Sequence, residues 1–330
     1  MYNNTVERLI DITNKTKPEK YNILTFPTHE RYETQLCKTG HDFYALNIDN
    51  AKQWNTQQTP VPINYHILPK NQLCNYINYD FILVQSKFGQ FQLAQNINQQ
   101  LNIPIICLEH TVPTPQTTPR DQLEQMKNMN GDFNVFISDF SKKAWGIYGE
   151  VIHHGIDSKK FAPKDNIKNQ KVLTIANDFI NRDYCLNYSG WKRVTQNLDV
   201  QVIGDTKGLS EPAKSIDELV DAYTSCSVYF NSSTLSPIPT SLLEAMSCGC
   251  AVVSTATCMI PEIIKNGYNG FISNDENELR NYLNLVLNDS DLRSILGKNA
   301  RDTILEMFSE EKFINKWNEL FDKIYEVSTT

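Results

Sequence analysis

The chain has 330 residues, 40% of them hydrophobic and 21% charged, which is ordinary globular composition and more chain than one core needs, so two domains are expected. A formal net charge of -7 argues against an electrostatic grip on nucleic acid as the main activity, although a local basic groove can hide in the average. The eight cysteines form no CxxC or Cys/His ligand cluster, and Cys107, Cys226 and Cys250 lie in or beside apolar runs; they read as small buried hydrophobes in a reduced cytoplasm, not as a disulfide framework or a metal site.

Residues 1–17 (MYNNTVERLIDITNKTK) carry no apolar core of a secretory signal, and no run approaches the length of a membrane span; a soluble, cytoplasmic protein is expected. Short apolar runs then alternate with helical stretches at 23–26 (ILTF), 43–46 (FYAL), 81–84 (FILV), 105–108 (IICL) and 135–137 (VFI). Strand, helix and strand in that rhythm predict a doubly wound parallel sheet with right-handed crossovers.

Between the first two runs lies PTHERY, residues 27–32, where His29 could donate to a phosphate or act on a hydroxyl, or be a plain partly exposed polar residue. His110 closes the run at 105–108 on its carboxyl edge, the edge where open α/β sheets bind ligands. The proline- and threonine-rich stretch at 111–119 is an irregular loop, either a wall of a binding site or an ordinary surface connection. At 151–157 (VIHHGID) a hinge is expected, with Gly155 permitting a backbone turn and Pro163 stiffening the chain beyond it. The adjacent His153 and His154 point to opposite sides if extended, so they form no metal pair.

A second alternation opens with 172–176 (VLTIA) and is followed by the cations Arg182, Lys192 and Arg193. It continues through 202–205 (VIGD), an amphipathic helix over 216–223 and a strand over 227–230. Residues 231–272 are the most informative stretch. Pro237 and Pro239 forbid helix before about Thr240, making Thr240 or Ser241 the expected N-cap. Gly249 ends that helix, and 251–254 (AVVS) is too apolar for a strand with a wet face. A helix N-terminus beside the end of a parallel strand suits a diphosphate. Glu244, one turn further in, could grip the vicinal diol of a ribose; the bland alternative is a local surface pair. From about Ser309, residues Phe313, Ile314, Trp317, Leu320, Phe321, Ile324 and Tyr325 recur at helical spacing.

The run 244–254 (EAMSCGCAVVS), followed by Pro261-Glu262-Ile263-Ile264 and by 266–271 (NGYNGF), resembles the donor-site signature of family 4-like (group 1) glycosyltransferases of the GT-B fold. Residues 36–43 (LCKTGHDF), 79–84 (YDFILV) and the linker at 151–157 are similar to that family's first domain and its join. The resemblance covers most of residues 20–325. It implies two Rossmann-like doubly wound parallel-sheet domains facing a central cleft: an acceptor domain over 1–153, completed by a C-terminal crossover helix at about 310–326, and a nucleotide-sugar domain over 154–309. It further implies transfer of a hexosyl group from a UDP- or GDP-sugar to an acceptor hydroxyl, with retained anomeric configuration, no cofactor and no obligatory metal. In that scheme Arg182, Lys192 (or Arg193 in its place, since the spacing from Arg182 is longer than the family's) and the helix end at Thr240 and Ser241 hold the diphosphate, Glu244 the ribose and His110 the sugar, with His29 a second acceptor-side candidate.

Two departures stand out. Ser236 occupies the place of a second family glutamate near the transferred sugar, and PTHERY replaces a glycine-rich loop. They leave room for a catalytically silent nucleotide-sugar-binding subunit, and the two-domain architecture also admits a nucleotide-sugar epimerase. The acceptor, whether glycan, lipid-linked sugar, protein or the modified nucleobase used by phage-type DNA-base glycosyltransferases, is not written in these residues.

Overall fold

The computed structural model describes residues 17–48, 54, 56, 59–114, 118–165 and 168–329. The reading of the first sixteen residues, and the centre of the 111–119 loop, lie outside them. Two wholly parallel sheets organise the described residues. The first has seven strands in the order β3-β2-β1-β4-β5-β6-β7: β1 (Asn22–Thr25), β2 (Asp42–Leu46), β3 (Tyr65–Leu68), β4 (Phe81–Val84), β5 (Ile105–Glu109), β6 (Phe133–Phe136) and β7 (Glu150–Val151). The second has five, in the order β12-β11-β10-β8-β9: β8 (Val172–Ile175), β9 (Val200–Ile203), β10 (Val228–Asn231), β11 (Val252–Ser254) and β12 (Phe271–Ile272).

The central strands form because they are apolar on both faces. All four residues of β4 and of β10 are buried, as covered parallel strands require. Leu24 on β1 lies opposite Tyr44 on one side and Ile82 on the other, so β1 is an interior strand and the strand order reverses there. Helix α1 (Glu30–Cys37) leaves the carboxyl end of β1 at that reversal, where α/β sheets open a crevice for ligands. In the second sheet α7 (Ile216–Ser225) begins at Ser215, whose side chain caps the N–H of Glu218.

The last helix, α12 (Glu310–Thr329), returns to the first sheet. Trp317 donates its indole N–H to Tyr32 on α1 at 3.2 Å, Tyr21 donates to Asp322 at 2.8 Å, and Phe321 stacks on Phe81. The join has a different logic from the expected one. Gly155 is not in the left-handed region; it is required because a Cβ there would stand 2.8 Å from Phe313. Close packing, not a turn, selects glycine. The sequence pattern also gives no signal for β3, β7 and β12. β3 has a mixed buried and exposed pattern as the sheet's edge, and the other two are only two residues long.

Candidate functional site

The second sheet contributes the helix α8 (Thr240–Ser247), which starts directly after Pro239. The expected N-cap is corrected here. Pro239 itself caps, without a side-chain bond, and Ser241 instead accepts from Tyr229 at 2.8 Å. The first N–H groups of α8 keep no intrahelical acceptor, as at any helix start. Residues 242–247 are all buried, Glu244 among them at 2% exposure.

A buried carboxylate needs strong donors, and Glu244 has two. Tyr223 on α7 donates to Oε2 at 2.9 Å, and Arg31 donates from Nη1 to Oε1 at 2.5 Å. Arg31 sits in the first turn of α1, so the bond joins the two halves of the molecule, 213 positions apart in sequence. The carboxylate beside it raises the pKa of Arg31, and burial followed by the same carboxylate pushes the Tyr223 hydroxyl well above its ordinary value.

The first sheet supplies a histidine cluster. His110 follows β5, as expected, and its ring lies 4.4 Å from that of His29 and 4.9 Å from that of Tyr32. His154 from the join reaches the same tyrosine, 5.5 Å away. Behind His110 runs a buried chain of hydrogen bonds. Gln85 donates its amide to Glu33 at 3.0 Å, so its oxygen faces His110 Nε2 at 3.1 Å. That polarity assigns the proton to Nε2 and leaves Nδ1 as an acceptor. Burial, reinforced by His29 and His154, pulls the pKa of His110 well below 6.5, and that of His154 falls to about 4 for the same first reason. Glu33 is pushed up to about 7 by burial, which its donors Tyr65, Thr28 and Gln85 only partly offset.

The candidate cations behave differently. Arg182 and Lys192 are exposed beside α5 (Asp183–Leu186) and α6 (Tyr188–Val194), and neither reaches Glu244 or His110 through a hydrogen bond or ion pair among the described residues. Lys192 stands 5.7 Å over the Tyr188 ring. Arg193 is occupied: it makes a two-pronged bond to Glu276 at 2.8 and 2.6 Å. Glu276 borders a pocket of about 240 Å³ at the carboxyl ends of β10 and β11, lined by polar Asn187, Ser232, Thr234, Thr255 and Thr257 and by apolar Val194, Phe230 and Leu279. Ser236, half-buried, belongs to the loop between β10 and α8. The structure therefore groups His29 with His110, and Thr240 and Ser241 with Glu244. It adds Arg31, Tyr223, Gln85 and Glu33, none of which sequence reasoning places at the site, and of the pair His153 and His154, one of which is expected near the cleft, it brings His154 to the cluster. The one signal for Arg31 is the charged PTHERY segment itself.

The model of the family described as Glycosyl transferases group 1 matches residues 212–303, the segment from α7 through α8 and β12 into α11 (Ser290–Met307). That segment is a group 1 glycosyltransferase segment. An uncharacterized glycosyltransferase of Methanocaldococcus jannaschii is 25% identical over 248 residues, covering 74% of this chain and 59% of the relative. An N,N'-diacetylbacillosaminyl-diphospho-undecaprenol alpha-1,3-N-acetylgalactosaminyltransferase of Campylobacter jejuni is 29% identical over 109 residues, covering 32% of this chain and 29% of the relative. The chain thus spans less than two thirds of the length of these curated relatives.

Anabaena HepE in complex with UDP superposes with a TM-score of 0.71 at 15% identity, over 92% of this chain and 100% of that one. Sucrose-phosphate synthase from Thermosynechococcus elongatus does so at 0.71 and 15%, over 93% and 100%. These likenesses show the fold, which is GT-B, with the group 1 segment in its second half.

Proposed function

We propose that the chain is a glycosyltransferase that moves a hexosyl group from a UDP- or GDP-sugar to an acceptor hydroxyl, in the cytoplasm, with retained anomeric configuration and no obligatory metal. The observation that carries this reading is Glu244: a carboxylate 2% exposed, one turn into a helix at the carboxyl end of a parallel sheet, facing a cation of the other half. Its oxygens are the acceptors that a ribose diol needs. The Anabaena structures with UDP and with UDP-glucose support a nucleotide-sugar as donor.

In this reading residues 1–153 with the last helix form the acceptor side and 154–309 the donor side. Arg182 and Lys192, exposed and not committed to ion pairs among the described residues, supply cations to the diphosphate together with the N–H groups at Thr240 and Ser241. As the glycosidic bond breaks, negative charge grows on the departing phosphate, and these donors stabilise it. The same phosphate takes the proton of the attacking hydroxyl on the front side. His110, neutral and held by Gln85, offers a hydrogen bond to the sugar rather than a charge.

Titration calorimetry of UDP and GDP against wild type and Glu244→Ala tests the reading. Loss of a charge-assisted diol contact is expected to weaken binding by about 1.5–3 kcal/mol. Unchanged affinity removes Glu244 from the site. Ser236, uncharged where the resembling enzymes carry a glutamate, favours one second reading, a silent nucleotide-sugar binder. Tight donor binding with neither hydrolysis nor transfer would establish it.

A further inference from the structure

Arg31 is engaged by only one of its N–H groups among the described residues, and its side chain is 51% exposed while its partner Glu244 is 2% exposed. One edge of the guanidinium therefore closes over the carboxylate and the rest is exposed. A guanidinium carries five N–H donors in a rigid fork that matches phosphate as well as carboxylate. The donor that Arg31 places on Oε1 stands in for a hydroxyl of the diol that Glu244 would bind; with the carboxylate only 2% exposed beneath it, a ligand hydroxyl reaches that oxygen when the guanidinium moves aside. In a nucleotide the diol and the 5′ phosphate are separated by one sugar ring, less than the reach of an arginine side chain. Arg31 rises from the first turn of α1, a backbone anchor on the opposite half of the molecule, so the side chain can turn without disturbing α8.

We infer that Arg31 is a specificity-determining residue that covers Glu244 when the groove is empty and transfers to the phosphates of an incoming nucleotide when the ribose displaces it. This rests on the nucleotide-binding reading of Glu244 given above. The consequence is selection for phosphorylated ligands. A nucleoside must break the Arg31–Glu244 pair and offers the freed guanidinium nothing, whereas a nucleoside diphosphate breaks the same pair and re-engages the charge. The arrangement also explains a charged side chain where the resembling enzymes carry a bare glycine loop: Arg31 brings to the groove a cation that backbone alone cannot.

The test is calorimetry of two matched pairs, uridine with UDP and guanosine with GDP, against wild type, Arg31→Ala and Arg31→Gln, with thermal melts confirming that each variant is folded. In Arg31→Ala the nucleoside of the preferred base is expected to bind several-fold tighter and its diphosphate about tenfold weaker, so the diphosphate preference collapses by well over an order of magnitude. Arg31→Gln retains a neutral donor for Glu244 and should leave nucleoside affinity near wild type while still weakening the diphosphate. A residue that only stabilises the fold would move both ligands in the same direction, and that result overturns the inference, as does unchanged diphosphate affinity in both variants. The two ideas separate cleanly. If Glu244→Gln weakens the diphosphate but the Arg31 variants do not, the Arg31 inference falls and the ribose role of Glu244 stands. If wild type binds none of the four ligands, both fall.

Discussion

Two glutamates, one in each half, are equally buried at 2% exposure and yet are managed in different ways. Glu244 is met by a guanidinium and a phenol, Glu33 by a phenol, an amide and a backbone N–H, all neutral. Neutral donors recover only part of the desolvation cost, and Glu33 is accordingly pushed up to about 7. The contrast teaches that the carboxylate expected to work on a ligand is paired with a cation whose side chain is half exposed and can turn away, while the one behind His110 is held by neutral donors of its own half.

The comparison breaks most visibly in pH. Unfolded, Glu33 loses its proton near 4.5; folded, near 7. Between those values the folded state holds a proton that the unfolded state has released, so the contribution of Glu33 to stability is full below about 4.5 and is lost as pH rises through 7. Urea melts of wild type and Glu33→Gln from pH 4.5 to 7.5 should show the wild-type advantage shrinking by about 3 kcal/mol at most. His154 has the opposite slope: its folded pKa falls to about 4, so below 6.5 the unfolded state takes up a proton that the folded state does not, and its contribution to stability is lost as pH falls from 6.5 toward 4. Its effect cancels in the wild-type-minus-variant difference, and a flat difference would show that Glu33 does not titrate in this window.

Next in size is Glu244→Ala. The substitution strands the buried Tyr223 hydroxyl and leaves Arg31 without its carboxylate, and it should cost about 2–3 kcal/mol by chemical denaturation. Tyr223→Phe in the same background should recover part of this, because the stranded group is gone; no recovery would mean that the phenol is not the source of the penalty. Smallest is Gly155→Ala, where the added methyl meets Phe313 at 2.8 Å and should cost about 1–2 kcal/mol, relieved when Phe313 is shortened to leucine.

Much of the second half is legible in the sequence because its signals are local. Pro237 and Pro239, the lone carboxylate at 244, Gly249 and the largely apolar 251–254 lie within one short run, and each acts on its immediate neighbours. Arg31 is not legible for the complementary reason: its meaning depends on a partner in the other sheet, and a charged residue at a helix start reads as solvated surface until that partner is placed. Gln85 and Glu33 are hidden likewise, since a polar residue inside an apolar pattern does not announce which histidine it will hold. For His153 and His154 the sequence places one of the pair near the cleft without saying which; contact with Tyr32 and His29 selects His154.

The join has a consequence for the history of the chain. The backbone N–H of Ile156 donates to the carbonyl of Phe308 at 2.8 Å, and Ile156 and Ser309 form a bridge. The polypeptide thus departs for the second sheet and comes home from it through a single doorway. Everything between is topologically a cassette, spliced into one fold at a point no wider than a peptide contact. Exchanging that cassette for another of the same plan leaves the route of the first sheet and its closing helix untouched.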